Sequence, residues 1–314
     1  MSTQSSPQNP VALIAGPTAS GKSAIALELA NARKKSGLGT WIINADSMQV
    51  YRDIPVLSAA PSDAERKETP HRLYGEWSGE QACSAADWAG RAKSEIAVAH
   101  KEGALPVLVG GTGMYLKVLL EGIAPIPEID PEVRAVVRAL PVEAAYNALM
   151  IEDPERAAEL DPNDSQRIAR ALEVKRSTGT KLGDWQKAKT GGIGEVTELI
   201  ACVMLPDRDW LYERCDSRFE AMLDAGATDE VEALLERGFD PKLPVMRAIG
   251  VPEIASFVRG EVDREAMIAA GAQSTRNYAK RQFTWFRNQP PPNWTLIESQ
   301  NVDVEAIFAS LLQN

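Results

Sequence analysis

The chain has 314 residues, enough for one large α/β domain or for one domain carrying a sizeable insertion. Apolar residues make up 44% and charged residues 25%, as in a globular protein, and no apolar run reaches membrane-spanning length. Three scattered cysteines (Cys83, Cys202, Cys215) argue against a disulfide framework or zinc site, two histidines (His71, His100) against a His-based centre or triad, and a net charge of −10 against a polyanionic partner.

Ser2 to Pro10 is polar and lacks the basic start and apolar stretch of a signal peptide. Residues 1–10 therefore read as a short disordered tail of a cytoplasmic protein. Val11 to Ala15 is a β-branched and aliphatic run, expected as a buried strand. A Gly-Pro turn follows, and Ser20 to about Lys35 has the apolar spacing of a helix through Ile25, Ala26, Leu29 and Ala30. Trp41 to Ala45 is a second strand with Asp46 just past its end. Ala85 to Lys101 is a helix, Leu105 to Val109 a third strand ending in Gly110-Gly111-Thr112-Gly113, and Met114 to Glu121 the next helix.

Near Ala124 the pattern changes. Pro125, Pro127 and Pro131 punctuate the chain, and helices are expected over Pro131–Leu140, Val142–Met150, Pro154–Leu160 and Ser165–Ser177, closed by Gly191, Gly192 and Gly194. Leu199 to Leu205 returns as a strand, with Cys202 in the core. Long helices follow at about Asp209–Ala225, Thr228–Arg237 and Arg264–Arg287. Alternating strands and helices predict an α/β fold, a P-loop NTPase-like (kinase-like) parallel sheet with flanking helices. Residues 11–125 and 197–314 form its core, and 126–196 a helical insertion domain. Ligands of such sheets sit beyond the carboxyl ends of the strands, where Gly16–Ser23, Asp46 and Gly110–Gly113 converge.

Gly16-Pro17-Thr18-Ala19-Ser20-Gly21-Lys22-Ser23 fits G-x-x-x-x-G-K-[ST] completely and lies between a strand and a helix, the context the motif requires. Backbone amides, a helix N-terminus and Lys22 suit a di- or triphosphate, and the Ser23 hydroxyl suits Mg²⁺. An NTPase would carry an acid on a neighbouring strand tip for the metal, yet Leu105–Val109 ends in Gly-Gly-Thr-Gly. Asp46 is the one strand-tip acid, open to reading as a metal-associated carboxylate, a base aimed at an acceptor, or a turn residue.

From Ala266 to Ile297 there is no acidic residue, whereas Arg276, Lys280, Arg281 and Arg287 fall there. Arg276, Lys280 and Arg287 lie within about 40° of one another at 100° per residue, with Phe283 and Phe286 beside them and Tyr278 and Trp285 opposite. Such interleaving suits RNA backbone contact and stacking; the alternative is a buried aromatic face with a solvated basic one. Here Phe283 is assigned to the core and the basic stripe to RNA. Arg214 and Arg218 share a helix face, which alone would suggest salt bridges to Glu213 or Glu220.

The phosphate loop, Asn44-Ala45-Asp46-Ser47-Met48-Gln49-Val50-Tyr51-Arg52 and Val109-Gly110-Gly111-Thr112-Gly113-Met114-Tyr115-Leu116-Lys117 resemble the bacterial tRNA dimethylallyltransferases (tRNA isopentenyltransferases). So do Asp161 through Glu173, Met246-Arg247-Ala248-Ile249-Gly250, and Thr275-Arg276 through Ala279-Lys280-Arg281-Gln282 to Thr284-Trp285. These six motifs, in order, span about residues 11–290. The resemblance implies transfer of a dimethylallyl group from dimethylallyl pyrophosphate to N6 of adenine 37, beside the anticodon, in tRNAs reading codons that begin with U. Thr18 through Ser23 and Arg218 would bind the pyrophosphate, with Mg²⁺ as cofactor. Asp46 would be the general base and Thr112 would position the adenine. The resemblance further implies tRNA contacts at Asp46, Ser47, Met48, Gln49, Thr112, Arg134, Gln166, Arg167, Ile168, Ala169 and Arg170, a tRNA-binding role for the insertion, and a monomer. Departures occur at Ser58, Ala60 and Val251, where the family commonly has Thr, Lys and Tyr. Rival readings are a P-loop small-molecule kinase, an isopentenyltransferase acting on free adenine nucleotides, and a non-catalytic RNA-binding module.

Overall fold

Apolar runs too short for helices and bounded by Gly and Pro become strands here, because both faces of the sheet they form are covered. The computed structural model describes residues 9–313; of the expected N-terminal tail, residues 1–8 lie outside the described residues. The strands are β1 (Pro10–Ala15), β2 (Gly39–Asn44), β3 (His71–Arg72), β4 (Ala104–Gly110), β5 (Gly122–Ile123), β6 (Thr190–Gly191), β7 (Glu198–Met204) and β8 (Thr295–Ile297). Pro10, expected in the tail, is the first residue of β1.

The six-stranded sheet has the order β3-β2-β4-β1-β7-β8, with every neighbouring pair parallel. Side chains alternate between its two faces. Leu13, Ile43 and Leu108 pack with Trp88, Leu116 and Phe283 on one side; Ile14, Ile42 and Val107 pack with Leu29 and Phe308 on the other. Register pairs Ala15 with Gly110 and Asn44 with Val109, so the carboxyl tips of β1, β4 and β2 lie side by side. The loop helix (Lys22–Lys35) leaves the tip of β1, and the Ala85–Lys101 helix packs on β4 and β2. The long helices run over Arg208–Asp224, Ala227–Glu236 and Arg264–Asn288.

Shorter pieces had no expectation behind them: β3, β8 and the helices Pro55–Ser58, Asp63–Glu68 and Val251–Val258. No helix among the described residues is long and apolar enough to cross a membrane.

Residues Leu120–Gly192 form a separate compact unit. It starts before residue 126 because β5 pairs antiparallel with β6, Gly122 opposite Gly191, and closes the unit at its base. Its helices, among them Pro131–Arg138, Val142–Glu152 and Ser165–Thr178, bury Val137, Leu149, Ile168 and Leu172 between them. The carboxylate of Glu173 is buried and takes Nε of Arg138 at 2.7 Å. In the other unit the chain ends flanking this insertion meet directly: Ile193 N donates to Leu119 O at 3.0 Å.

Candidate active site

The loop after β1 takes the expected conformation. Gly21 caps the loop helix in the left-handed region, and Ala19 adopts φ 63, a strained conformation for a residue with a Cβ. Arg214 Nε donates to Ala19 O at 2.9 Å and holds that strained turn, so Arg214 serves the loop rather than a salt bridge to Glu213 or Glu220. Lys22 Nζ donates to Pro17 O at 2.5 Å.

The β2 tip is fixed through Asn44, which is fully buried. Its side-chain amide donates to Asp46 O and Leu73 O, its Oδ1 accepts from Asp46 N, and its main-chain carbonyl accepts from Trp88 Nε1 at 2.8 Å. Asp46 Oδ1 accepts from Met48 N at 2.9 Å, a turn bond that anchors the carboxylate and leaves Oδ2 without a partner among the described residues. The turn reading of Asp46 thus accounts for one oxygen only. At the β4 tip, a Cβ on Gly110 would lie 2.2 Å from the Ala45 backbone, so only glycine lets the two tips touch. Thr112 Oγ1 accepts from Ser47 N at 2.9 Å and donates to Ser47 Oγ at 3.3 Å, which ties the two tips side by side.

A cavity of about 260 Å³ opens over these tips. Thr18, Ala19, Lys22 and Ser23 line it from the loop; Asp46, Ser47, Met48 and Gln49 line it from the turn after β2. Arg218 enters from the Arg208–Asp224 helix, Arg281 and Tyr278 from the Arg264–Asn288 helix. Gly16, Pro17 and Ser20 are buried in the body of the loop. Arg218 has no hydrogen bond or close ion pair among the described residues, so its guanidinium charge faces Asp46 and the cavity. Burial lowers the Lys22 ammonium from 10.5 to about 8; Asp46 opposes the fall and Arg218 adds to it. Burial likewise lowers Arg218, with Asp46 opposing. Four cationic side chains, Lys22, Arg218, Arg247 and Arg281, line the cavity against one carboxylate, Asp46, which makes an anion site.

One wall of the cavity is apolar: Ile54, Leu57, Phe219, Met222 and Ile249. Leu57 belongs to a short strap, Pro55–Ser58, held at both ends. Glu230 accepts from Val56 N and Leu57 N at 2.7 and 2.9 Å, and Gln49 Nε2 donates to Ser58 O and Ala59 O at 2.9 Å each.

Several expected contacts are placed differently. Ile168 is fully buried in the insertion's own core and presents no side chain to RNA, because it supplies that small unit with apolar contact. Arg276 donates to both oxygens of Asp216, at 2.5 and 2.6 Å, so its charge is already met. Tyr278, expected opposite the basic stripe, reaches the cavity and lies beside the Thr112 and Ser47 hydroxyls. Phe283 is core, as expected. Lys280, Arg281 and Arg287 are exposed, and in the insertion so are Arg134, Gln166, Arg167 and Arg170, with Ala169 half-buried. Arg167 pairs with Asp164, the cap of its own helix, at 2.9 Å. Sequence reasoning gave no role to Gln282, Arg247 or the apolar wall, and read Tyr278 only among the aromatics of its helix; the Arg247 and Gln282 motifs were visible, but nothing local tied them to the loop.

A phosphate loop at the tip of a central parallel strand, with an acid at the tip of β2 one strand beyond β4 and an apolar wall to the same cavity, defines a P-loop α/β enzyme for a phosphorylated substrate with an apolar part. Residues 49–289 match the model of the IPP transferase family. The tRNA dimethylallyltransferase of Erythrobacter litoralis is 61% identical over 304 residues, covering 97% of this chain and 96% of that protein. That of Novosphingobium aromaticivorans is 60% identical over 277 residues, covering 88% and 99%. The crystal structure of a full-length tRNA isopentenylpyrophosphate transferase from Bacillus halodurans superposes with a TM-score of 0.68 at 31% identity, covering 96% of this chain and 94% of that one. A eukaryotic dimethylallyltransferase captured acting on tRNA gives 0.79 at 27% identity, covering 93% and 74%. The chain belongs to the IPP transferase family.

Proposed function

We propose that this chain transfers the dimethylallyl group of dimethylallyl pyrophosphate to N6 of an adenine in tRNA, releasing pyrophosphate. The observation that carries the reading is one cavity lined at once by the cations Lys22 and Arg218, by the lone acid Asp46 and by an apolar wall. The loop amides, Lys22 and Arg218 hold the pyrophosphate, and Ile54, Leu57, Phe219 and Met222 shelter the prenyl tail.

The chemistry balances within the cavity. The N6 lone pair attacks C1 of the allylic chain, the C1–O bond breaks, and its electron pair leaves on the pyrophosphate. Asp46 Oδ2 accepts the N6 proton, which relieves the positive charge on nitrogen. General-base help of this kind contributes roughly 10²–10⁴-fold. Removing one donor to the leaving group typically costs about 2.7–4 kcal/mol. Thr112, fixed against Ser47, sets the acceptor edge beside Asp46.

The exposed Ser23 hydroxyl at the loop-helix start, with a single carboxylate across the cavity, fits Mg²⁺, which keeps several waters and takes its other ligands from substrate phosphates. Ser23 would hold the ion, which neutralises charge on the departing pyrophosphate when bound.

The target adenine must leave its stack to enter a cavity at the sheet edge, so a flipped base is expected. Its place is adenine 37 of the anticodon loop in tRNAs reading codons that begin with U. Lys280, Arg281 and Arg287, with Arg134, Gln166, Arg167 and Arg170 of the insertion, supply the backbone contacts. The protein acts as a monomer in the cytoplasm. Purified protein, Mg²⁺ and radiolabelled dimethylallyl pyrophosphate, incubated with tRNA, AMP or no acceptor, test the reading. Label entering tRNA alone is the expected result; ATP turnover without prenyl transfer would overturn it.

A further inference from the structure

The β1–β4 ladder ends at the Ala15–Gly110 pair, and the two loops beyond carry different halves of the proposed reaction. One buried side chain is hydrogen-bonded to both loops. Gln282, on the Arg264–Asn288 helix, accepts from Thr18 N through Oε1 at 2.7 Å and donates through Nε2 to Gly111 O at 2.8 Å. It is 5% exposed, and its bond to Gly111 is buried while that from Thr18 is partly so. Close approach is built in: a Cβ on Gly111 would sit 2.3 Å from Gln282 Nε2.

The bonds continue on either side. Gly111 precedes Thr112, whose N–H donates to Ala45 O at 3.2 Å and whose hydroxyl accepts from Ser47 N. Ala45 and Ser47 flank Asp46. Hydrogen bonds and single peptide links therefore connect the pyrophosphate loop, through one side-chain amide, to the two residues that flank the acid. The Thr18 N–H is thereby spent on Gln282 and is not offered to phosphate; the Thr18 side chain still lines the cavity.

We propose that Gln282 is a positioning residue that sets the separation between the donor loop and the acid tip. The inference rests on the transferase reading above. An amide suits the task because it presents an acceptor and a donor in one rigid plane, as Thr18 N–H and Gly111 O require. Loss of the bridge leaves each loop intact but frees their mutual register. Misplacement of reacting groups by about 1 Å costs on the order of 10² in rate.

Three variants test this. Gln282→Met keeps the volume and removes both bonds. Gln282→Glu keeps the acceptor and loses the donor until its carboxyl is protonated. Phe283→Leu, a neighbouring core change, controls for lost stability alone. Active sites are titrated with a non-hydrolysable thio analogue of dimethylallyl pyrophosphate, and kcat is expressed per titrated site. Gln282→Met is expected to lower kcat roughly a hundredfold with donor KM within about threefold, while Phe283→Leu leaves kcat per site near wild type. Gln282→Glu should recover relative to wild type as pH falls, because a protonated carboxyl restores the donor to Gly111 O. Equal kcat per site in Gln282→Met and wild type would overturn the inference, as would a Gln282→Glu profile parallel to wild type. If wild type itself transfers nothing, the functional reading fails; the bridge is then judged by amide exchange at Thr18, slow in wild type and fast in Gln282→Met if it exists, equal in both if it does not.

Discussion

Asp46 owes its usefulness to a division of labour between its two oxygens. Oδ1 is bound to Met48 N and holds the carboxylate in place, and Oδ2 is the atom that takes the N6 proton in the proposed reaction. Asp46→Asn keeps an acceptor for the turn and removes the base. Transfer is expected to fall roughly 10²–10⁴-fold, with donor-analogue binding by calorimetry retained; loss of both together would assign Asp46 to donor or metal binding. Lys22 sets a pH limit. Its ammonium titrates near 8 in the empty site, so above that pH donor binding must first restore the proton. Donor affinity should then fall by about tenfold per pH unit above pH 8. Lys22→Arg, whose charge persists, should abolish that inflection. Stability of the empty protein runs the other way: the folded-state value lies below the unfolded one, so the unfolded chain holds more protons between about 8 and 10.5 and stability rises with pH across that window.

Among the elements around the cavity, the strap at Pro55–Ser58 is only four residues long and leans on side chains from elsewhere in the chain. Glu230 supplies acceptors for two of its first amides, from a half-buried position that raises the carboxyl above its usual range. Glu230→Ala leaves both amides without that partner and should cost about 1–3 kcal/mol, seen as a lowered melting temperature, and donor KM should rise because Leu57 no longer holds the apolar wall. An unchanged KM would mean the wall is set elsewhere.

The elements legible in the sequence were those with enough residues to show a period. The Ala85–Lys101 helix and the four longer strands of the sheet fell within a residue or two of expectation. β3 and β8, two and three residues long, carry no alternation to read. The phosphate loop and Asp46 were legible because their chemistry is local in the chain. The partners of Gln282 lie 264 and 171 residues away, and the cavity face of Tyr278 depends on where its helix docks. No spacing rule reports such contacts. Two side chains expected at RNA have partners that spacing does not report: Arg276 pairs with Asp216, 60 residues back, and Ile168 packs in the core of the small unit.

At the scale of the molecule, residues Leu120–Gly192 and the remainder each have their own apolar core. The residues that line the donor cavity all belong to the larger unit. Excising 120–192 and joining Leu119 to Ile193 through a short glycine-serine linker should leave a folded protein that binds the donor analogue with near wild-type affinity and no longer prenylates tRNA. Loss of analogue binding in a folded product would show that the insertion shapes the cavity. The junction makes the operation feasible, since the two cut ends are already one hydrogen bond apart. The same seam has an evolutionary reading. A segment that departs and returns at a single point on its host can lengthen, shrink or be traded between lineages in one genetic step, and RNA preference is then free to drift while the machinery for breaking the allylic bond stays as it was.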